Sequence, residues 1–181
     1  AEVVVVEHLG DDRGAVGTAL RREQIDLLVS TGGTGHGYGD HLVGALEALG
    51  AMVPVRGIGM RPGHPTILAA RPDGVPLLGL PGNPFAALAA LVALGLPLLA
   101  GLVRASAPPV LPRTAAVPMA GTSSGVRLVA VAETPDGLVP VTRQGAAMTC
   151  GLAQADALAL VEGAGVAAGG PVGVLALPWT R

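Results

Sequence analysis

The stretch TGGTGHGYGD at residues 31–40 constrains the fold more than any other part of the chain, because it sets five glycines between a β-like run and a helix-like one. Upstream lies IDLLV at residues 25–29. Downstream lies DHLVGALEALG at residues 40–50, where Leu42, Val43, Leu46 and Leu49 share one helical face, Asp40 suits the N-cap and Gly50 suits the terminator. Strand, glycine loop and helix in that order turn successive main-chain N–H groups toward a place where an anion can meet them. The same order predicts parallel neighbouring strands, since the helix carries the chain back before residues 52–58 form the next strand. A flexible hinge without a ligand accounts for a lone glycine cluster about equally well.

Two familiar phosphate loops are excluded by spelling. A P-loop ends in Gly-Lys, and this chain has no lysine, all 11 of its basic residues being arginine. The dinucleotide fingerprint needs glycines at i, i+2 and i+5, whereas Gly33, Gly35, Gly37 and Gly39 simply alternate.

Around this loop the chain reads as one domain followed by a smaller one. Residues 2–7 form a β-branched run that predicts a buried strand. Asp11 and Asp12 then stand where a helix N-cap is wanted, before an amphipathic pattern reaching residue 24. Residues 66–70 and 75–80 flank the turn Arg71-Pro72-Asp73-Gly74 and predict a hairpin. Residues 85–103 carry no charge over 19 positions, long enough for a membrane span. Their alanine content, Pro97 and the lack of a flanking tryptophan or tyrosine predict two consecutive buried helices instead. Proline-rich residues 105–112 mark a linker between a first domain at 1–104 and a second at 113–181. Short β-like runs at 114–118, 126–132, 137–141, 157–161 and 171–177 give the second the pattern of a small all-β barrel or sandwich.

Composition narrows the partners. Half the residues are hydrophobic, enough for a real core, while 13% are charged with a net of -2, so nothing points to nucleic acid or to a polybasic membrane surface. A small molecule is the expected partner. The single cysteine, Cys150, excludes an internal disulfide framework and a multi-cysteine zinc site, and fits a reducing cytoplasm. Cys150 is expected to be a small buried apolar residue and Trp179 to pack the second domain or a neighbour. His36 and His41 are expected in loop and surface positions. No signal peptide is expected from the opening residues, which show no arginine-flanked apolar stretch with a cleavage-like end.

Taken together, GGTGHGYGD at 32–40, RPGHP at 61–65 and LPGNP at 80–84 resemble the molybdopterin molybdenumtransferase family. In that family the first motif is a Gly-Gly loop ending in aspartate, the second a Lys-Pro-Gly-Lys-Pro loop and the third the same Leu-Pro-Gly-Asn-Pro. The likeness extends to Asp11-Asp12 and to Arg143-Gln144-Gly145 with the stretch to Ala157, and so spans nearly the whole chain.

The resemblance implies an α/β molybdopterin-binding domain with a mostly parallel sheet and flanking helices, followed by a small all-β barrel domain. It also implies that this is the C-terminal half of a longer enzyme, with a first strand and helix upstream of Ala1. The family reaction takes adenylylated molybdopterin (molybdopterin-AMP) and molybdate, releases AMP, and uses magnesium or zinc. By the same resemblance Asp40, Asp12 and Arg61 are catalytic candidates, and Asp40, Asp11 and Asp12 metal-ligand candidates. Gly32, Gly33, Thr34, Gly35, Gly37, His64, Pro81, Gly82, Asn83 and Pro84 are the cofactor-binding candidates. A homodimer is expected on the same ground.

The chemistry suits those residue types. Hard carboxylates suit a divalent metal, amides and the Thr34 hydroxyl suit a phosphate, and a guanidinium holds a tetrahedral oxyanion through two parallel hydrogen bonds. Capping accounts for Asp11, Asp12 and Asp40 equally well. Arg61 replaces the family's first lysine and His64 its second; an unperturbed imidazole is mostly uncharged at neutral pH and captures an anion more weakly. Thr34-Gly35 matches the adenylyltransferase of the preceding step better than the insertion enzyme, so that activity, and a non-catalytic pterin-binding module, are the alternatives.

Overall fold

A computed structural model describes residues 1–10, 12–35, 41–145 and 148–180. The elements run α1 (Arg13–Ala19), β1 (Leu28–Thr31), α2 (Leu42–Leu49), β2 (Met52–Arg56), β3 (Met60–Arg61), β4 (Ile67–Ala70) and β5 (Pro76–Leu80). Next come α3 (Pro84–Ala90), a π-helical turn (Leu91–Gly95), α4 (Leu96–Leu102), β6 (Leu111–Thr114), β7 (Val126–Thr134) and β8 (Gly137–Pro140). A 3-10 turn (Leu152–Gln154), β9 (Ala157–Glu162) and β10 (Pro171–Ala176) complete the order. Two compact units result, one of residues 1–58 and 65–82, the other of residues 59–64 and 83–181. By this grouping residues 59–64 and the helices after Gly82 go with the second unit, whereas the sequence expectation keeps residues 1–104 together.

The first unit holds a four-stranded sheet in the order β1-β5-β4-β2. Only β1 and β5 are parallel, in register from Leu28 opposite Leu77 to Thr31 opposite Leu80; β5 with β4 and β4 with β2 are antiparallel. The mostly parallel sheet expected from sequence is therefore corrected. The cause is the turn at residues 71–74, which folds β5 straight back on β4 instead of returning it through a helix. Gly74 takes φ +87°, its N–H donates to Arg71 O at 2.9 Å, and the Arg71 guanidinium grips Asp73 and donates to the Arg22 carbonyl at 2.5 Å. The β2–β4 register slips between Met52 and Val55, around Pro54, which has no N–H to give the ladder.

Helices α1 and α2 cover one face of this sheet. Leu20, Leu42, Ala45 and Leu46 are buried against Ile67, Ala69 and Leu77. Helix α2 ends as its sequence predicts, with Gly50 left-handed at φ +74°. Helix α1 stops at Ala19, earlier than expected, and Gln24 is left-handed at φ +59°. Residues 2–7 form no strand: Val3, Val4 and Val6 are exposed, because β-branched residues make a strand only where a ladder partner exists.

The second unit is a six-stranded sheet ordered β3-β7-β9-β10-β6, with β8 paired to β7. Its core includes Val129, Val131, Leu138, Ala159, Val161 and Val174. The ladder does not close into the expected barrel. A single bridge from Ala115 to Leu138, with Ala116 N–H donating to Leu138 O at 2.9 Å, joins the chain after β6 to β8. Residues 84–102 run as one helix rather than two, its register shifted by the π turn just ahead of Pro97, whose ring nitrogen cannot donate. By length and composition this helix could cross a bilayer. Phe85, Ala86, Ala89, Ala90 and Val92 are buried in the protein, while α4 buries nothing. Cys150 and Trp179, expected in packed positions, are exposed.

Candidate functional site

In the first unit, parallel pairing brings the carboxyl ends of β1 and β5 side by side, the end at which open α/β sheets hold ligands. The glycine loop leaves β1 and Pro81-Gly82 leaves β5, so the first and third motifs meet. Gly32 N–H donates to Leu80 O at 2.9 Å, and a Cβ on Gly82 would lie 3.5 Å from Gly32 Cα. Gly32 and Gly33 take φ +83° and +68°, which disfavours any side chain. Thr34 is buried, its methyl 3.1 Å from where Gly79 would carry a Cβ. The Gly32 amide is thus spent inside the sheet, while those of Gly33, Thr34 and Gly35 have no partner among the described residues. Ser30 Oγ, on the strand leading into the loop, is buried without a partner among the described residues, a feature that sequence does not signal. His36, Gly37 and Asp40 lie outside the described residues.

Asp12 is the N-cap of α1. Its Oδ1 accepts from Gly14 N at 2.7 Å and Ala15 N at 3.0 Å. These two bonds, Ala15's first, hold its carboxyl below the ordinary value, with a smaller contribution from the charge of His41. His41 occupies the N-cap position of α2 without a side-chain cap bond, so the starts of the two helices are neighbours. Asp11 lies outside the described residues. Among the described residues no three or more His, Cys, Asp or Glu side chains cluster to hold a metal ion, and Asp12 is already engaged as a cap. The described residues therefore do not build the magnesium or zinc site that the resemblance implies.

In the second unit, the RPGHP segment forms β3 and pairs in parallel with β7, Met60 opposite Val126 and Arg61 opposite Arg127. Residues directly opposite in a ladder project to the same face, so two exposed arginine side chains leave the ladder on one face. Neither has a carboxylate partner among the described residues; Arg127 gives one Nη1 hydrogen to Ala120 O at 3.2 Å. Like charges opposed in this way cost stability unless an anion sits between them. Buried Gly63 takes φ +120°, where a Cβ would collide with the Met60 methyl. His64 is exposed. Asn83 stands at the N-cap of α3, ahead of Pro84, yet makes no cap bond, which leaves its exposed amide for a ligand. Gln144 is structural: its Oε1 accepts from Ala130 N at 2.9 Å and its Nε2 donates to Val141 O at 2.5 Å. Sequence reasoning finds Arg61 and misses Arg127, because only strand register joins them.

Residues 1–101 match the family described as the probable molybdopterin binding domain. The chain belongs to this molybdopterin-binding family. Among curated members of known name, the molybdopterin molybdenumtransferase of a Nostoc species is 36% identical over 92 residues, 49% of this chain and 21% of that protein. The enzyme of the same name from Synechococcus elongatus is 33% identical over 87 residues, 46% of this chain and 22% of that protein. The match thus covers about a fifth of the length of either relative.

Solved structures agree on the fold of the molybdopterin-binding chain. A molybdopterin biosynthesis MoeA protein from Pyrococcus horikoshii superposes with a TM-score of 0.69 at 22% identity, over 91% of this chain and 40% of that one. A molybdenum cofactor biosynthesis protein from Pyrococcus furiosus gives 0.67 at 20% identity, over 91% and 53%. The family match and its curated relatives support a place for this chain in molybdenum cofactor biosynthesis.

Proposed function

We propose that the chain is the pterin- and oxyanion-binding part of a molybdopterin molybdenumtransferase, which inserts molybdate into adenylylated molybdopterin and releases AMP. The observation that carries this reading is the register of Arg61 with Arg127. Two guanidinium forks on one face offer parallel N–H donors to a tetrahedral dianion, the geometry in which arginine outperforms lysine. The amides of Gly33, Thr34 and Gly35, without a partner among the described residues, supply phosphate contacts without mobile charge. Asn83 serves the pterin or its phosphate, and His64 stands where the family carries a lysine.

The test is molybdate-dependent AMP release by the complete gene product. Arg127→Gln is expected to lower turnover about 10- to 100-fold, the loss of one or two charge-assisted hydrogen bonds, with pterin binding retained. Unchanged turnover would remove Arg127 from the reaction. AMP transfer from ATP to molybdopterin in the same preparation would favour the adenylyltransferase step instead.

A further inference from the structure

We infer that Gly125 is a positioning residue for oxyanion capture, its bare Cα admitting the Gly59 carbonyl so that Arg61 and Arg127 fall into one register. The inference rests on the proposed role of that arginine pair. Strand β3 is only two residues long and lies at the sheet edge, so its place depends on its pairing with β7. That pairing begins with Val126 N–H donating to Gly59 O at 2.7 Å. Immediately before it, Gly125 takes φ +74°. A Cβ at Gly125 would overlap the Gly59 carbonyl oxygen and come within 2.5 Å of the carbonyl carbon and 2.9 Å of Cα. All of these are backbone atoms, which cannot rotate aside as a side-chain tip can, so any side chain displaces β3. The displaced register begins at Met60–Val126, and the next pair along is Arg61–Arg127. Arg127 is itself tethered through Ala120 O, so a moving β3 would carry Arg61 away from a fixed partner.

The experiment measures inorganic molybdate binding by the full chain with Gly125→Ala, Arg61→Gln, Arg127→Gln and Gly163→Ala, each checked for folding by circular dichroism. Gly163 is the control for backbone strain alone, with φ +50° and open space around its missing Cβ. Gly125→Ala is expected to weaken molybdate binding at least about tenfold, as Arg127→Gln does, while Gly163→Ala binds like the parent. Combining Gly125→Ala with Arg127→Gln should add little, since the two arginines no longer act together. A purely structural role would lower the melting temperature of both glycine variants and leave the affinity of the folded fraction intact.

If the arginine variants bind molybdate normally, or the parent does not bind it, the oxyanion reading fails and this inference with it. If they weaken binding while Gly125→Ala does not, positioning alone is overturned. Should Gly125→Ala not fold, a chain with Arg61→Cys, Arg127→Cys and Cys150→Ser is oxidised. Directly opposed residues fall in the range of about 4.4–6.8 Å between Cα atoms that a disulfide spans, so a crosslink is expected and its absence overturns the register.

Discussion

Asp12 and Arg127 mark the two limits of what single residues disclose. A carboxylate two or three positions ahead of an amphipathic run reads as a cap from sequence, and Asp12 caps α1 through Gly14 and Ala15. Its pH consequence follows. Asp12 and Asp73 both have carboxyls held below the ordinary value of 3.8, Asp12 by backbone N–H groups and Asp73 chiefly by Arg71. A lowered folded value means that the stabilisation is present above 3.8 and is lost as pH falls through the folded values. The melting temperature should therefore hold steady down to about pH 4 and fall below it. Asp12→Asn, which can still accept the cap bonds, is expected to flatten part of that fall in calorimetric scans. Arg127 was not legible because its proposed role depends on standing opposite Arg61, and no local pattern encodes which strands will be neighbours.

Among the elements, those with chemical punctuation were legible. Gly50 ended α2, and the RPDG turn gave the β4–β5 hairpin. Strand direction beyond that hairpin was not, because a strand–loop–helix order predicts a parallel neighbour for β2, which instead pairs antiparallel with β4. The β-branched run at residues 2–7 failed for a related reason, having propensity without a partner. Gly79, buried in β5, would with a Cβ press on Leu42 at 2.9 Å, Thr34 at 3.1 Å and Ile67 at 3.2 Å. Gly79→Ala is expected to cost about 1–3 kcal/mol in denaturant unfolding through overpacking, and to disturb the glycine loop through Thr34. Gln144 occupies the edge of β7 where β8 has ended, and Gln144→Ala would leave the fully buried Ala130 N–H unsatisfied. A loss of about 1–3 kcal/mol is expected by the same measurement.

At the scale of the whole molecule, apolar side chains remain in water at several places. Val3, Val4 and Val6 are exposed in the amino-terminal segment, and Leu102 and Val103 at the end of α4. Such surface favours association over dispersal. The chain on its own is expected to bind an apolar dye and to scatter light increasingly with concentration. Val4→Lys with Val6→Lys should reduce both signals without moving the unfolding transition. A further consequence lies in the path of the backbone. Residues 59–64 belong with the second unit although first-unit residues flank them on both sides. A recombination event that exchanged everything beyond Gly82 between two related genes would bring β3 from one parent and β7 from the other. A hybrid that split Gly59 and Arg61 from Gly125 and Arg127 is expected to lose the β3–β7 register, and with it the proposed grip on an oxyanion, while each of its halves still descends from a working protein.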